Sequence, residues 1–223
     1  MMTIFEGYGS LLLTGVAMTL AVSLSALVLG MLLAILTTLI ELSSFQWLKK
    51  IVSGVNSLIR GLPELLVLFG IYFGGSVLLT ELLNRPMQVS AFISGVLALA
   101  LIFASYASQT LRGAFSAIPK GQAEAGKALG LSGCWVFLKI LLPQAWRHAL
   151  PGLSNLWLVL LKDSALVALI GLGDLMNKAQ LAASTTHQPL KFYMIAACLF
   201  LILTTVSQLV LNRFIRTANK SLQ

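Results

Sequence analysis

The chain has 223 residues, of which 58% are hydrophobic and only 10% are charged. Soluble domains carry about 25% charged residues, so this composition excludes an ordinary water-soluble protein and predicts an integral membrane protein. The formal net charge of +8 comes from 15 Lys and Arg residues against 7 Asp and Glu residues. In a membrane protein such an excess sets the topology and does not indicate nucleic-acid binding. The cysteines and histidines lack the spacing of a metal site, so we expect no metal and no cofactor.

Stretches without charged residues predict five membrane-spanning helices, each of which needs about 20 apolar residues. The second span is the least regular. Leu65–Thr80 is too short alone, so this span must include part of the preceding Arg60–Glu64 segment. The other four predicted spans are Leu11–Leu36, Val89–Leu111, Leu150–Leu172 and Phe192–Leu211. The segment Gly173–Lys191, between the last two spans, is predicted to be a polar loop.

The basic residues predict the orientation of these spans. Cytoplasmic segments of membrane proteins carry an excess of Lys and Arg. With the N-terminus outside, the inside segments hold eleven basic residues and the outside segments hold three. The sequence therefore predicts an N-terminus outside the cell membrane and a C-terminus in the cytoplasm.

A long polar stretch, Arg112–His148, separates the third and fourth spans and is predicted to be cytoplasmic. Its apolar residues follow helical spacing, which predicts two short helices joined near Gly130–Gly133. We expect Gly130 to end the first helix in a tight turn. We expect Pro143 to break the chain before it re-enters the membrane.

The same stretch contains a spaced pattern of seven residues: Glu124, Ala125, Gly126, Gly130, Ile140, Leu142 and Pro143. It resembles the EAA loop of the permeases of bacterial ABC importers, which reads E-A-A-x3-G-x9-I-x-L-P. Only Gly126 departs from that pattern, where the family has Ala, and this change lowers helix propensity. The resemblance implies that these residues couple the chain to a separate cytoplasmic ATPase. We expect the small Ala125 and Gly126 to let the first helix nest in a groove of that partner.

Other segments extend the resemblance over nearly the whole chain. Arg60–Pro63, Gln144–Pro151 and Leu161–Val167 resemble the polar amino-acid permease family of the histidine, arginine and glutamine type. Arg60–Glu64 and Ala107–Ala114 are similar to its arginine-transport members.

The resemblance implies a fold, a location and a set of partners. The fold is an all-α integral membrane protein of the type I ABC importer class. Its transmembrane domain covers residues 9–211 and includes a cytoplasmic coupling loop at 112–148. The location is the bacterial inner membrane, with the N-terminus in the periplasm. The partners are membrane lipid, a second permease subunit of the same or a sister chain, an ATPase dimer and a periplasmic amino-acid-binding protein. The sequence lacks the phosphate-binding motif G-x-x-x-x-G-K-[ST], so we expect a separate subunit to hydrolyse ATP and this chain not to be an enzyme.

Three ionisable residues fall within or beside predicted spans, namely Glu64, Lys162 and Asp163. Charged groups inside a membrane are costly and are candidates for function. A carboxylate at Glu64 would attract a guanidinium group, which can bind it through two hydrogen bonds. We hypothesise that Glu64, with Asp163 and Lys162, binds a basic amino acid. Alternatively, Glu64 is stabilised at a helix start or pairs with Lys162, and Asp163 serves packing or gating.

The sequence therefore predicts the permease subunit of an ATP-driven importer of arginine or another basic amino acid, working by alternating access. A permease for a polar or neutral amino acid such as glutamine or histidine is the main alternative. A secondary transporter would need internal repeats, which the five unequal spans do not show. A membrane-embedded enzyme would need clustered catalytic groups, and the sequence offers only scattered histidines and acids.

Overall fold

The structure is a computed structural model that describes residues 3–220, and the side chains of residues 7–216. Regular secondary structure within these residues is entirely helical. We number eight helices in chain order: α1 (Thr3–Leu42), α2 (Gln46–Gly61), α3 (Glu64–Leu83), α4 (Ala91–Ser116), α5 (Lys120–Ala128), α6 (Gly133–Ile170), α7 (Leu175–Thr186) and α8 (Pro189–Lys220). Two of them change winding along their length. α3 contains a π-helical turn at Gly70–Gly74, and α6 contains one at Phe137–Leu141 and ends in a 3-10 segment, Ser164–Ile170.

Five of the helices, α1, α3, α4, α6 and α8, are long and apolar enough to cross a membrane, which confirms the predicted all-α membrane fold. The second span reaches 20 residues because α3 begins at Glu64 and continues through Glu81, whereas the sequence interpretation ended the uncharged run at Thr80. The helix that contains the fourth span begins at Gly133, well before the predicted Leu150.

The centre of the bundle is α4, which packs against α1 on one side and α6 on the other. Small side chains allow this close approach. Ala98, Ala100 and Ala107 of α4 are fully buried in one apolar cluster with Val22 and Ala26 of α1. In the most apolar part of α4, 61% of the residues are buried, against 6% in the corresponding parts of α3 and α8. The α3 and α8 spans therefore leave most of their surface to lipid or to another subunit.

The helix α2 is separate from the spans on either side of it and packs against α1 and α4. It is amphipathic, since Trp47, Ile51 and Leu58 are exposed along one face while Asn56 is buried. The helix ends before Leu62, whose backbone is extended, because the α conformation is disfavoured immediately before a proline. The break between α2 and α3 falls at the interruption that the sequence predicted.

The prediction of a polar loop over Gly173–Lys191 is wrong in its main feature, because the twelve-residue helix α7 occupies most of this segment. The N-cap of this helix is Asp174, whose side chain accepts hydrogen bonds from the backbone N–H groups of Met176 and Asn177. Thr19 of α1 accepts another from the backbone N–H of Leu175, at 3.1 Å. An acidic N-cap of this kind is a start signal for a helix, and it was visible in the sequence.

Candidate functional site

A cavity of about 190 Å³ lies where the start of α3 meets α4 and α6. It is lined by nine residues: Glu64, Leu99, Ile102, Phe103, Tyr106, Leu156, Val159, Leu160 and Asp163. Two of the three charged residues that the sequence singled out, Glu64 and Asp163, therefore line one cavity although they are far apart in the chain.

Local backbone structure positions both carboxylates. Pro63 has a φ of −57° and a ψ of 135°, so the chain is extended there and Glu64 becomes the first residue of α3. The partial positive charge of a helix N-terminus favours an acid at such a position. Asp163 is the last α-helical residue of α6, directly before the 3-10 segment. Each acid thus lies at a change of backbone geometry.

The cavity brings two acidic side chains together in an apolar lining. Glu64 and Asp163 are both half-buried, and the rest of the lining is apolar apart from the Tyr106 hydroxyl. Among the described side chains neither carboxylate has an ion-pair partner within 4.0 Å. Lys162 is exposed and does not line the cavity, although its charge acts on the adjacent Asp163. Two like charges in an apolar cavity favour a bound cationic group.

The apolar wall of the cavity was missed by sequence reasoning, although a signal was present. The α4 residues recur at 99, 102, 103 and 106, and the α6 residues at 156, 159, 160 and 163. Both sets follow the spacing i, i+3, i+4, i+7 that defines one face of a helix. The same spacing is typical of core packing, so only the acid at its end distinguishes the α6 face.

The predicted coupling segment forms the surface that joins α4 to α6. Glu124, Ala125 and Gly126 lie on the short helix α5, and Glu124 and Ala125 are exposed. Gly130 has a φ of +79°, the left-handed conformation that favours glycine. Backbone N–H groups of Gly130 and Leu131 donate to the carbonyls of Lys127 and Gly126. This is the hydrogen-bond pattern of a Schellman turn, so the predicted helix end at Gly130 is confirmed.

Gly126 differs from what the sequence suggested, because it packs inside its own chain and is buried. A Cβ atom at this position would lie 2.6 Å from Ile140 Cδ1 and 3.0 Å from Val136 Cγ2. The small residue lets α5 approach the start of α6. Packing therefore explains why this chain has Gly126 where the E-A-A pattern has alanine. The expectation that Gly126 enters a groove of the partner is corrected, because this residue is buried within its own chain.

Pro143 does not break the chain, which corrects a second expectation. The helix α6 continues through it, and the π-helical turn Phe137–Leu141 ends just before it. Proline lacks an N–H group, and the wider turn accommodates the missing donor. Leu142 and Pro143 are exposed, whereas Ile140 packs towards α5 and its carbonyl accepts a hydrogen bond from the side chain of Gln144 at 2.9 Å.

Comparisons with known proteins agree with this bundle and its loop. Residues 26–218 match the family described as binding-protein-dependent transport system inner membrane component. The chain is 50% identical over 204 residues to the arginine ABC transporter permease protein ArtQ of Haemophilus influenzae, covering 92% of this chain and 91% of that protein. It is 43% identical over 219 residues to ArtQ of Escherichia coli K12, covering 91% and 92%. Among solved structures, the crystal structure of an amino acid ABC transporter with histidines superposes with a TM-score of 0.86 at 31% identity, covering 96% of this chain and 97% of that one.

These features define a multi-pass transmembrane component of a transporter. The chain belongs to the family of binding-protein-dependent transport system inner membrane components. It is therefore a membrane subunit of an ABC importer of the inner membrane, with the fold of type I permeases, and the ATPase is a separate subunit. Membership also implies a substrate-binding protein as a partner.

Proposed function

We propose that this chain is the permease subunit of an importer of arginine or another basic amino acid. The observation that supports it most is the cavity between α3, α4 and α6, which brings the unpaired carboxylates of Glu64 and Asp163 together. A guanidinium or ammonium group would neutralise them, and a carboxylate binds guanidinium through two parallel hydrogen bonds. The names of the relatives, arginine ABC transporter permease protein, agree with this substrate class.

The proposed assembly has two permease subunits, of the same or a sister chain, above two ATPase subunits. The N-terminus lies in the periplasm and the C-terminus in the cytoplasm. Orientation is supported by the excess of basic residues in the segments α2, 112–148 and the C-terminal tail. The presence of a second subunit is supported by α3 and α8, because only 6% of the residues in the most apolar part of each helix are buried within one chain.

Transport would proceed by alternating access within the transmembrane domain 9–211. ATP binding closes the ATPase dimer, which moves the coupling loop 112–148 through Glu124, Ala125, Leu142 and Pro143 on its exposed surface. The cavity then opens to the binding protein and receives the amino acid, and hydrolysis returns it to the cytoplasmic side. ATP hydrolysis supplies the free energy, and the different affinities of the two conformations for ATP shift the equilibrium between them.

The test is substrate-stimulated ATPase activity of the reconstituted importer across a panel of amino acids, with Glu64→Gln and Asp163→Asn variants. A charge-assisted hydrogen bond contributes about 1.5–3 kcal/mol, so we expect the preference for arginine over glutamine to fall by about tenfold or more in Glu64→Gln. Asp163→Asn should change the preference in the same direction. Glu81→Gln, at the exposed far end of α3, is the matched control and should keep the preference of the unmodified chain.

Unchanged arginine preference in both cavity variants would contradict the proposed site. Stimulation by glutamine or histidine and not by arginine in the unmodified importer would instead favour the alternative, a permease for polar or neutral amino acids.

A further inference from the structure

Another acidic residue, Glu41, lies near the end of α1 and is only 3% exposed. Its Oε1 atom accepts a hydrogen bond from Asn56 Nδ2 of α2 at 3.2 Å, and its Oε2 atom accepts one from Ser108 Oγ of α4 at 3.3 Å. Arg112 Nε of α4 lies 3.3 Å from the same Oε2. We call these four residues the Glu41 cluster. One buried carboxylate thus joins three helices.

The cluster is continued along α2 towards the cavity. Asn56 also donates to Ser108 at 3.4 Å, and Arg60, one turn further along α2, donates to the backbone carbonyl of Ser105 at 3.0 Å. Glu64 follows Arg60 by four residues, directly after the break at Pro63. Tyr106, beside Ser105, lines the cavity. The contacts between α2 and α4 therefore end next to the cavity, one residue before Tyr106 on α4 and four residues before Glu64 in the chain.

The other side of the cluster leads to the coupling loop. Phe115, one turn beyond Arg112 on α4, stacks on Phe137 of α6, with ring centroids 5.5 Å apart and planes inclined by 14°. Val136, next to Phe137, packs against Gly126 of α5 together with Ile140. These contacts, joined by the backbone of α4 and of the segment from Arg60 to Glu64, place the Glu41 cluster between α5 and the start of α3.

We propose that Glu41 is a positioning residue for transport, which holds α2 and the cytoplasmic half of α4 as one unit so that movement of the coupling loop reaches Glu64. This inference rests on the proposed function, because it assigns Glu64 to the substrate cavity. A buried carboxylate with two hydrogen bonds and an ion pair strongly favours one arrangement, because loss of any partner leaves its charge less compensated in an apolar interior. Arg112 is 35% exposed and can change partner when the loop moves.

The experiment measures transport and ATP hydrolysis together in the complete importer, reconstituted in proteoliposomes with its binding protein. Glu41→Gln keeps the acceptor oxygen and the shape of the side chain but removes the charge that faces Arg112. We expect the number of substrate molecules imported per ATP to fall at least fivefold, while ATP hydrolysis without substrate continues. A merely structural role would lower both rates in parallel with the yield of assembled complex and leave their ratio unchanged.

Two further variants keep the proposal testable if Glu41→Gln does not assemble. Asn56→Ala and Ser108→Ala each remove one hydrogen bond to Glu41 together with the Asn56–Ser108 hydrogen bond, and they leave the ion pair with Arg112 intact. Each should lower the ratio of import to hydrolysis by about twofold. Glu41→Asp, made as a single substitution, keeps the charge and should retain a higher ratio than Glu41→Gln. Glu81→Gln, an exposed acid outside the cluster, is the control and should leave the ratio unchanged.

The outcomes separate this inference from the proposed function. Loss of coupling in the cluster variants, with arginine preference retained, supports the positioning role. A normal ratio in Glu41→Gln, or in both Asn56→Ala and Ser108→Ala where Glu41→Gln does not assemble, overturns it. Loss of the preference in Glu64→Gln alone concerns only the substrate cavity.

Discussion

The two acidic regions of this bundle differ in how their carboxylates are compensated. Near the C-terminal end of α1, Glu41 is nearly fully buried, accepts two hydrogen bonds and forms one ion pair with residues of two neighbouring helices. In the cavity, Glu64 and Asp163 are half-buried, lie in an apolar lining and have no ion-pair partner within 4.0 Å among the described side chains. Burial alone therefore does not indicate function in this protein. A carboxylate whose partners are complete holds helices together, and a pair without partners is suited to a cationic ligand.

Removal of the compensated acid should have the largest effect on stability. Glu41→Ala removes one hydrogen-bond partner from each of the buried residues Asn56 and Ser108, and leaves Arg112 without its counter-charge. We expect a loss of about 3 kcal/mol, which lowers the denaturation midpoint by about 6–12 °C for a chain of this size. The midpoint of the purified subunit in detergent is the measurement. An unchanged midpoint would show that water replaces these partners and would remove the distinction between the two regions.

The coupling segment, the Glu41 cluster and the cavity could be predicted from the sequence to different extents. The coupling segment follows a short spaced pattern, and its helix, its glycine turn and its position between two spans could be predicted because each depends on neighbouring residues. The Glu41 cluster could not be predicted, since its hydrogen bonds join residues that are 15, 52 and 67 positions apart. The cavity lies between these cases. A charge in an apolar run predicted Glu64 and Asp163, but their meeting depends on how α3 and α6 pack around α4.

Errors in the predicted elements have similar causes. The span α3 was shortened because Glu81 was treated as its limit, yet an acid at the outer end of a helix can reach water. The helix α7 was missed because, apart from Leu175 at its start, its buried face consists of the small residues Ala179, Ala182 and Ala183, which give a weak apolar signal. Its N-cap at Asp174 was the stronger clue, and tertiary contact with Thr19 completes it.

Asp174 offers an intermediate case, since it is fully buried and its donors are backbone N–H groups alone among the described partners. Burial raises its pKa to about 6 from the ordinary 3.8, and the N–H groups of Asn177 and Met176 lower it only in part. The folded state therefore binds a proton more tightly than the unfolded state. The stability contribution of this group is full below pH 4 and is lost as the pH rises through 6.

The variant Asp174→Asn tests the direction of this pH dependence of stability. Asparagine cannot ionise and keeps an acceptor for the N–H of Asn177, so the variant should be more stable than the unmodified chain at pH 7, by about 1–2 kcal/mol. The advantage should shrink towards pH 4, where Asp174 itself is protonated. The measurement is the denaturation midpoint at several pH values between 4 and 8. Asp174→Ala, which loses the cap, is the control and should be less stable than Asp174→Asn at every pH. Equal curves for Asp174→Asn and the unmodified chain would contradict the raised pKa.

The smallest effect on stability is expected in the cavity, and its direction is opposite to that at Glu41. Glu64→Gln removes one of two like charges that repel each other across the cavity, so without substrate the denaturation midpoint should stay constant or rise, with a gain of about 0.5 kcal/mol. Addition of arginine should raise the midpoint of the unmodified chain in the assembled importer, because a ligand that binds only the folded state stabilises it by mass action. The same addition should have little effect on Glu64→Gln. A loss of stability comparable to that of Glu41→Ala would mean that Glu64 has a structural partner, and the contrast between a compensated and an uncompensated carboxylate would no longer hold.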